Sequence, residues 1–579
     1  PSMKGLRGRA GLALAIGILA ALFPLLQTRV LPFHDSAGIV GLGGALALRN
    51  DPSAQIAAFY DLDIRAYPSA LYFGWAYLSG ALGVSVETAF SLFLALFCLA
   101  GPPLALWVLL GAFGRPRALA LLALPVSYHH QIWYGFLGSS AAVTGVIAAF
   151  AFARRLRDPA DLRRRTGDGL GFAGALLFVA AAHPFPLALT LAMVAPLLLV
   201  PPPADGASQA RRWVGHYGVA LATLVPTVWF LAGWAAGFFG RGPATRSLWK
   251  TVTTSVSLQT PALADASLYL RWLGNGYRGG GDEWVPGLAL LTLVVLLIFG
   301  VRVPVVVADA PAPVGKRTVA RVVRSDGFFL GWAVAVLLGG FLVLPMKLVW
   351  PELWWGVRVR CVLPSYLVLI ALIRPVPADG LTATTVPAWR RWFSRGLPLP
   401  WALAPAAIAA LGFFAFVTWD FRIFARDRLA GFDSALAAIP AGQSVLAFPV
   451  RPDPHYTLPH PYLVQHYVAR KGGRAVPHLR GHRGSYWITM KPPPDSPPWG
   501  DPRVFDLLLH GDWDYFLIER PIDDFAAGPV RPSLVPSRAT LEGDEETTPD
   551  RPHPMWTAPP RAVRRVSAEG QFELWQRVR

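Results

Sequence analysis

Apolar residues run along this chain in long unbroken stretches, with none of the strict alternation that marks half-buried strands. A membrane helix needs roughly 20 mostly apolar residues. Eleven segments read as spans: 11–31, 87–113, 118–134, 136–153, 169–183, 186–202, 217–239, 286–301, 327–346, 361–374 and 401–419. The first follows Lys4, Arg7 and Arg9, and no small-residue cleavage site closes it, so it reads as an uncleaved anchor. Segment 69–84, SALYFGWAYLSGALGV, is apolar but short, and its Tyr, Trp and Gly suit a membrane interface. After residue 420 the pattern changes. GQSVLAFPV (442–450), YFLIE (515–519) and FELWQRV (572–578) read as strands, and PYLVQHYVARK (461–471) and PRVFDLLLHG (502–511) as short helices. Residues 526–561, Pro-rich and containing GDEETTPD, read as a loop. The expected architecture is a mainly α polytopic membrane protein of about 11 transmembrane helices over 1–419, followed by an extracytoplasmic α/β domain over 420–579. Two outer loops stand out: 32–86, with interfacial helices, and 240–285.

Composition agrees with this reading. Of 579 residues 54% are hydrophobic and only 15% charged, with mean hydropathy +0.41, against about 25% charged residues in soluble domains. The net charge of +18 suggests nucleic acid, an anionic surface or an oriented membrane protein, and its distribution decides. With 69–84 placed at the outer interface, the segments 1–10, 114–117, 154–168, 203–216, 302–326 and 374–400 hold 22 Lys and Arg against 7 Asp. RRLRDPADLRRR (154–165) alone carries six arginines. The outer membrane-proximal segments and the tail are nearly neutral. The positive-inside rule then puts the N-terminus in the cytoplasm and the tail outside, periplasmic or extracellular. Nucleic-acid binding loses its support. Cys98 and Cys361 both sit in apolar stretches, so no disulfide framework exists. Arg outnumbers Lys 47 to 6, a bias of GC-rich bacterial genomes, and the expected location is a bacterial inner membrane.

Charges at membrane depth cost about 2.5–3.5 kcal/mol each, so those beside span ends need a reason. The first outer loop opens LPFHDSAG, placing His34 and Asp35 directly after the first span, and continues FYDLDIRAYPSALY with Asp61, Asp63 and Arg65. A carboxylate there can take a proton from a sugar hydroxyl or help hold a divalent cation. Ser127-Tyr128-His129-His130 lies where the third and fourth spans meet, and His183 between the fifth and sixth. Paired histidines at an interface are also satisfied by solvation or capping, and their spacing matches no zinc motif. KLVWPELWWGVRVR (347–360) joins the ninth and tenth spans. Its tryptophans fit an aromatic belt. Arg358 and Arg360 do not: they lie outside, against the charge bias, and Arg suits bidentate phosphate recognition. A lipid-linked phosphate or pyrophosphate at the outer leaflet is the ligand they suggest. GRGPATR and RGGGDEW are Gly-rich but follow no strand, and no HExxH, GxSxG or Walker-type loop is present. Five histidines, His455, His460, His466, His478 and His482, cluster in the tail.

This layout resembles the GT-C fold of polytopic glycosyltransferases that use polyprenyl-phosphate sugars. LPFHDSAG matches the position of that family's catalytic Asp, which implies Asp35 as the base, with His34 beside it. YPSALYFGWAYLSGALGVSVETAF (67–90) is similar to the family's tyrosine-proline segment. RVRCVLPSYLVLIAL (358–372) resembles its late Arg-containing helix start, which implies Arg358 and Arg360 as donor-phosphate contacts. IPAGQSVLAFPV and DWDYFLIE resemble the extracytoplasmic tails of bacterial members. Many members carry an acidic pair at the loop start; here His34 precedes a lone Asp35, leaving Asp61 and Asp63 to supply the second acid. The resemblance implies an inverting hexosyl or pentosyl transfer from a lipid-linked donor. Asp61, Asp63, Arg65, His129, His130, His183, Arg358 and Arg360 would bind substrate, and Asp35 with Asp63 would hold Mg or Mn. Its partners would be the lipid-linked sugar donor and membrane lipids. A second class fits the same layout: a non-catalytic scaffold or assembly subunit whose tail docks a protein partner. A transporter is disfavoured, since the mid-span regions carry almost no ionisable residues and no inverted repeat is visible.

Overall fold

The computed structural model describes residues 3–62, 74–157, 162–200, 209–239, 266–274, 276–277, 282–303, 325–345, 347–348, 354–373, 375–377, 397–448, 463–476, 488–490, 513–519 and 563–578. Asp63, Arg65, the tail histidines other than His466, the expected helix at 502–511, the loop 526–561 and most of 240–285 lie outside the described residues.

Proline decides where the apolar segments bend. In 118–134, expected as one span, Pro125 has no N–H to donate. The chain forms a 3-10 helix over Arg117–Val126, breaks at Ser127–His129, and resumes as the single turn His130–Tyr134. At Gly101-Pro102-Pro103 the helix instead runs through. Val86–Phe93 widens into a π-helix over Leu94–Ala100 and continues as Gly101–Ala112. A π-turn at Phe97 would seek its donor five residues on, at Pro102, which has none. The Phe97 carbonyl accepts the Thr144 hydroxyl instead, at 2.8 Å.

Each of the remaining apolar segments carries a helix: Met3–Leu22, Leu137–Arg155, Leu162–Ala182, Pro184–Leu199, Gln209–Phe239, Trp284–Phe299, Asp326–Val343, Val362–Leu372 and Leu399–Ile423. Among the described residues, six stretches are long and apolar enough to cross a membrane: Gly8–Leu26, Val86–Ala112, Leu137–Arg155, His216–Gly233, Asp326–Val343 and Leu399–Arg428. This is fewer than the eleven expected, because helices such as Pro184–Leu199 are short and Leu162–Ala182 opens on LRRRTGD. The protein is a multi-pass membrane protein. Trp401 and Trp419 stand exposed on helix Leu399–Ile423, about 27 Å apart at 1.5 Å per residue, close to the roughly 30 Å of a hydrocarbon core.

The first loop folds back on the tail. Helix Ser36–Ala47 (SAGIVGLGGALA) is buried from Ser36 to Leu46, and its small residues allow close approach. A Cβ on Gly41 would stand 2.6 Å from Gln465 Oε1, and one on Gly44 would stand 2.1 Å from the Ala469 Cα. Helix Gln465–Lys471 therefore lies directly on it. Strand Tyr60–Leu62 pairs antiparallel with Ile488–Met490. The tail builds a five-stranded mixed sheet in the order Val563–Glu569, Phe572–Arg577, Tyr515–Glu519, Ser444–Phe448, Arg474–Val476. The central pairings with Ser444–Phe448 are parallel, and the outer hairpin is antiparallel. Val445, Leu446, Phe516 and Leu574 are buried in its core. A buried ionic contact ties tail to helix Val86–Phe93: Glu87 Oε1 lies 2.6 Å from Arg470 Nε and 3.4 Å from His466 Nδ1.

Candidate functional site

The broken segment 127–136 is the hub on which the site is built. Its main chain anchors the first loop: the Trp133 carbonyl accepts the His34 N–H at 2.9 Å. Phe33 packs edge-on against the Trp133 ring at 5.3 Å. The Ser36 hydroxyl donates to the carbonyls of Leu31 and Phe33 at 2.9 and 2.7 Å, closing the turn. Asp35 thereby becomes the N-cap of helix Ser36–Ala47, and its side chain makes no capping bond to that helix. A carboxylate at a helix N-terminus sits in a favourable field. Its Oδ1 lies 3.5 Å from His34 Nε2, and the two side chains are 19% and 13% exposed. Across from it, Gly135 adopts φ +94, and its α-carbon packs against the Asp35 side chain.

An aromatic wall runs from this pair to the arginine turn. The His34 ring meets Tyr134 at 5.4 Å, and Tyr134 meets Phe136 at 4.6 Å. Trp272 stacks on Phe136 with an interplanar angle of 6°, and His130 stands edge-on to Trp272 at 4.5 Å. Beyond Phe136 the Arg360 guanidinium lies 5.1 Å over the ring. Arg360 Nη1 is 3.3 Å from His183 Nδ1 and also meets its Nε2. His183 Nδ1 accepts the Phe185 N–H at 3.2 Å and so caps helix Pro184–Leu199. Gln131 Nε2 donates to the Val359 carbonyl at 3.1 Å, holding the 3-10 turn Arg358–Cys361 to the hub.

His34, Asp35, His130, His183 and Arg360 are therefore linked along one track of ring contacts, in which His34 and Asp35 are partly exposed and His130, His183 and Arg360 are buried. Its two charged ends do not touch; Tyr134 and Phe136 join them. Arg358 lies half-buried in the same turn as Arg360. His129 turns the other way. It is 1% exposed and lines a small core cavity with Cys98, Pro102, Ser127 and Leu363. Asp61 is exposed on strand Tyr60–Leu62, and Asp63 and Arg65 lie outside the described residues.

As to a divalent cation, Asp35 and His34 offer two donors. Among the described residues no three His, Cys, Asp or Glu side chains converge, and a Ca²⁺- or Mg²⁺-type site is built from several oxygens. Asp63, the carboxylate expected to hold the cation with Asp35, lies outside the described residues.

Trp133 and Tyr134, which stand beside His129 and His130 in the sequence, take part in this arrangement, whereas Phe136 and Trp272 carry no signal of their own beyond Gly135 between two aromatics in WYGF. Asp282, in the Gly-rich RGGGDEW, was read for its glycines and not for its acid.

No protein-family model matches the chain, and no curated protein matches it. Among solved structures, ArnT from Cupriavidus metallidurans, bound to undecaprenyl phosphate, aligns at TM-score 0.52 and 13% identity over 98% of each chain. The fold is GT-C-like. The arabinofuranosyltransferase AftD from Mycobacteria aligns at TM-score 0.46 and 15% identity. That alignment covers 99% of this chain, which spans 40% of the length of AftD. At such identities the likeness to ArnT carries the fold alone, and the chemistry of this GT-C-like chain has to be argued from its own residues.

Proposed function

We propose that the chain is a membrane glycosyltransferase that moves a sugar from a polyprenyl-phosphate donor to an acceptor at the outer face of the bacterial inner membrane. The observation that carries the reading is the track from Asp35 to Arg360: a partly exposed carboxylate at one end, a guanidinium held by Phe136 and His183 at the other. The solved ArnT structure with undecaprenyl phosphate supports a lipid-linked ligand for this fold. A lipid donor also needs no nucleotide-binding motif, and the sequence carries no Walker-type loop.

In this reading Asp35 accepts the proton of the acceptor hydroxyl as its oxygen attacks the anomeric carbon. The new C–O bond forms on the face opposite the phosphate, so configuration inverts. The bond from the anomeric carbon to the phosphate oxygen breaks, and the electron pair leaves with the polyprenyl phosphate. Arg360, with Arg358 in the same turn, stabilises the developing phosphate charge. His34, 3.5 Å from Asp35, orients the carboxylate. Tyr134, half-buried beside His34, gives the sugar ring an apolar face to stack on, while the buried Trp272 backs the wall. The sheet that follows residue 444, on the same reading, lies outside the membrane with the first loop it packs against.

The test is Asp35→Asn in proteoliposomes supplied with radiolabelled polyprenyl-phosphate sugars. The variant is expected to elute as the wild type does on size exclusion, to keep its binding of undecaprenyl phosphate by native mass spectrometry, and to transfer no sugar. Undiminished transfer overturns the assignment of Asp35; absence of any bound polyprenyl phosphate in the wild type overturns the donor class.

A further inference from the structure

The turn before helix Trp284–Phe299 buries a carboxylate that the reaction above does not use. Asp282 is 4% exposed. Its Oδ2 accepts the Gly276 N–H at 2.6 Å, and among the described residues no hydrogen bond reaches its Oδ1. Burial raises its carboxyl from the ordinary range to about 6. A half-satisfied buried carboxylate costs stability, and such groups concentrate at functional sites.

What Asp282 holds lies directly behind the candidate site. Gly276 rests flat on the Trp133 indole; a Cβ there would stand 2.3 Å from Cε2, so only glycine fits. The next residue, Tyr277, stands edge-on to the same indole at 5.0 Å, and its hydroxyl donates to Asp420 Oδ2 at 3.0 Å. Trp133 Nε1–H is fixed on the Tyr128 carbonyl at 3.0 Å. The indole is thus clamped on its face, its edge and its nitrogen. The main-chain carbonyl of this same residue is the one that receives the His34 N–H.

We infer that Asp282 is a positioning residue for Asp35: by pinning Gly276 onto Trp133 it sets the main-chain anchor of the His34–Asp35 turn. The mechanical coupling stands on geometry alone; its catalytic consequence rests on the glycosyl-transfer reading.

The test compares Asp282→Ala, Asp282→Asn and Asp282→Glu in the full chain in nanodiscs, by hydrogen exchange of the peptide spanning residues 33–40. Asn keeps an oxygen for the Gly276 N–H, Ala removes it, and Glu keeps the charge but displaces it by one methylene. Loss of one such bond is expected to raise exchange at the His34 amide about tenfold in the Ala variant, with helix Leu137–Arg155 still protected and the Asn variant like wild type. Should the Ala variant not fold, the Glu variant carries the same expectation. In sugar transfer, a misplaced base is expected to lower kcat about 100-fold in the Ala variant with KM for the lipid donor little changed, and Asn is expected to restore it. Unchanged exchange at His34 in a folded Ala or Glu variant overturns the inference. Raised exchange there, in a protein whose wild type transfers no sugar, upholds the coupling and overturns the glycosyl-transfer reading.

Discussion

Gly135 presses its α-carbon against the side chain of Asp35: a methyl group added there would stand 2.4 Å from Asp35 Cβ and 3.1 Å from Cγ. The position also has φ +94, a region that L side chains enter at a cost of about 1–2 kcal/mol. Gly135→Ala therefore has two effects, one on the fold and one on the carboxylate. The expected outcome is a loss of about 1–3 kcal/mol in stability together with a fall of about 100-fold in sugar transfer, since a displacement near 1 Å is enough for that. A melting curve and a transfer assay on the same preparation check it. A variant that melts lower but transfers at the wild-type rate would show that Asp35 tolerates displacement and is not the base.

At the other end of the track, Arg360 presents a plane to Phe136 and nitrogens to His183. A lysine supplies the charge without the plane or the fork. Arg360→Ala is expected to weaken undecaprenyl-phosphate binding about 10–100-fold, the worth of one charge-assisted hydrogen bond of about 1.5–3 kcal/mol. Arg360→Lys is expected to recover only a small part. Titration by native mass spectrometry or with a radiolabelled lipid measures both. Full recovery by lysine would mean that charge alone recruits the phosphate.

Much of the helical layout was legible because a span announces itself over about 20 residues. Strands Ser444–Phe448, Tyr515–Glu519 and Phe572–Arg577 fall inside the runs that β-branched and aromatic composition marks out. Asp35 and the Arg358–Arg360 turn were visible because charge beside an apolar run is expensive. The helix Ser36–Ala47 was harder to read. Its twelve residues are too short to span and too small to look amphipathic, and it is buried because Trp75 together with Gln465 and Ala469, more than 400 positions away, closes on its glycines. The break at Ser127–His129 was missed for a related reason: hydropathy is blind to Pro125, which interrupts hydrogen bonding while leaving the apolar run intact. His129 and His130 are neighbours in sequence, yet one points into the core and the other at Trp272, a divergence set by that same break.

The glycines of helix Ser36–Ala47 give a third expectation. A Cβ on Gly44 would meet the backbone of Ala469 at 2.1 Å, and backbone cannot rotate aside as a side chain can. Gly44→Ala is expected to cost about 1–3 kcal/mol or more by overpacking, despite alanine's better helix propensity of about 1 kcal/mol. Because helix Gln465–Lys471 is what moves, limited proteolysis of the tail should accelerate in step with the fall in melting temperature. Gly80→Ala, where a Cβ meets nothing within 4 Å, is the control and is expected to leave both unchanged. Equal behaviour of the two variants would show that the tail does not bear on this helix.

The raised carboxyl of Asp282 makes stability depend on pH with a definite sign. Its folded value is about 6 against an ordinary 3.8, with burial as the main cause and the neighbouring Glu283 adding to it. The fold therefore favours the protonated acid. That contribution is fully present below pH 3.8, and it is lost as pH rises through 6 and the buried group must ionise. A displacement of about two units corresponds to about 3 kcal/mol at neutral pH. Asp282→Asn cannot ionise and keeps the oxygen that Gly276 needs. The two proteins should thus melt alike near pH 4, and the asparagine variant should melt higher by a few degrees at pH 7.5. Glu283 and the other carboxylates are common to both proteins, so they cancel in the difference. A wild type that is the more stable of the two at pH 7.5 would mean that the ionised Asp282 is held by a partner strong enough to outweigh its burial.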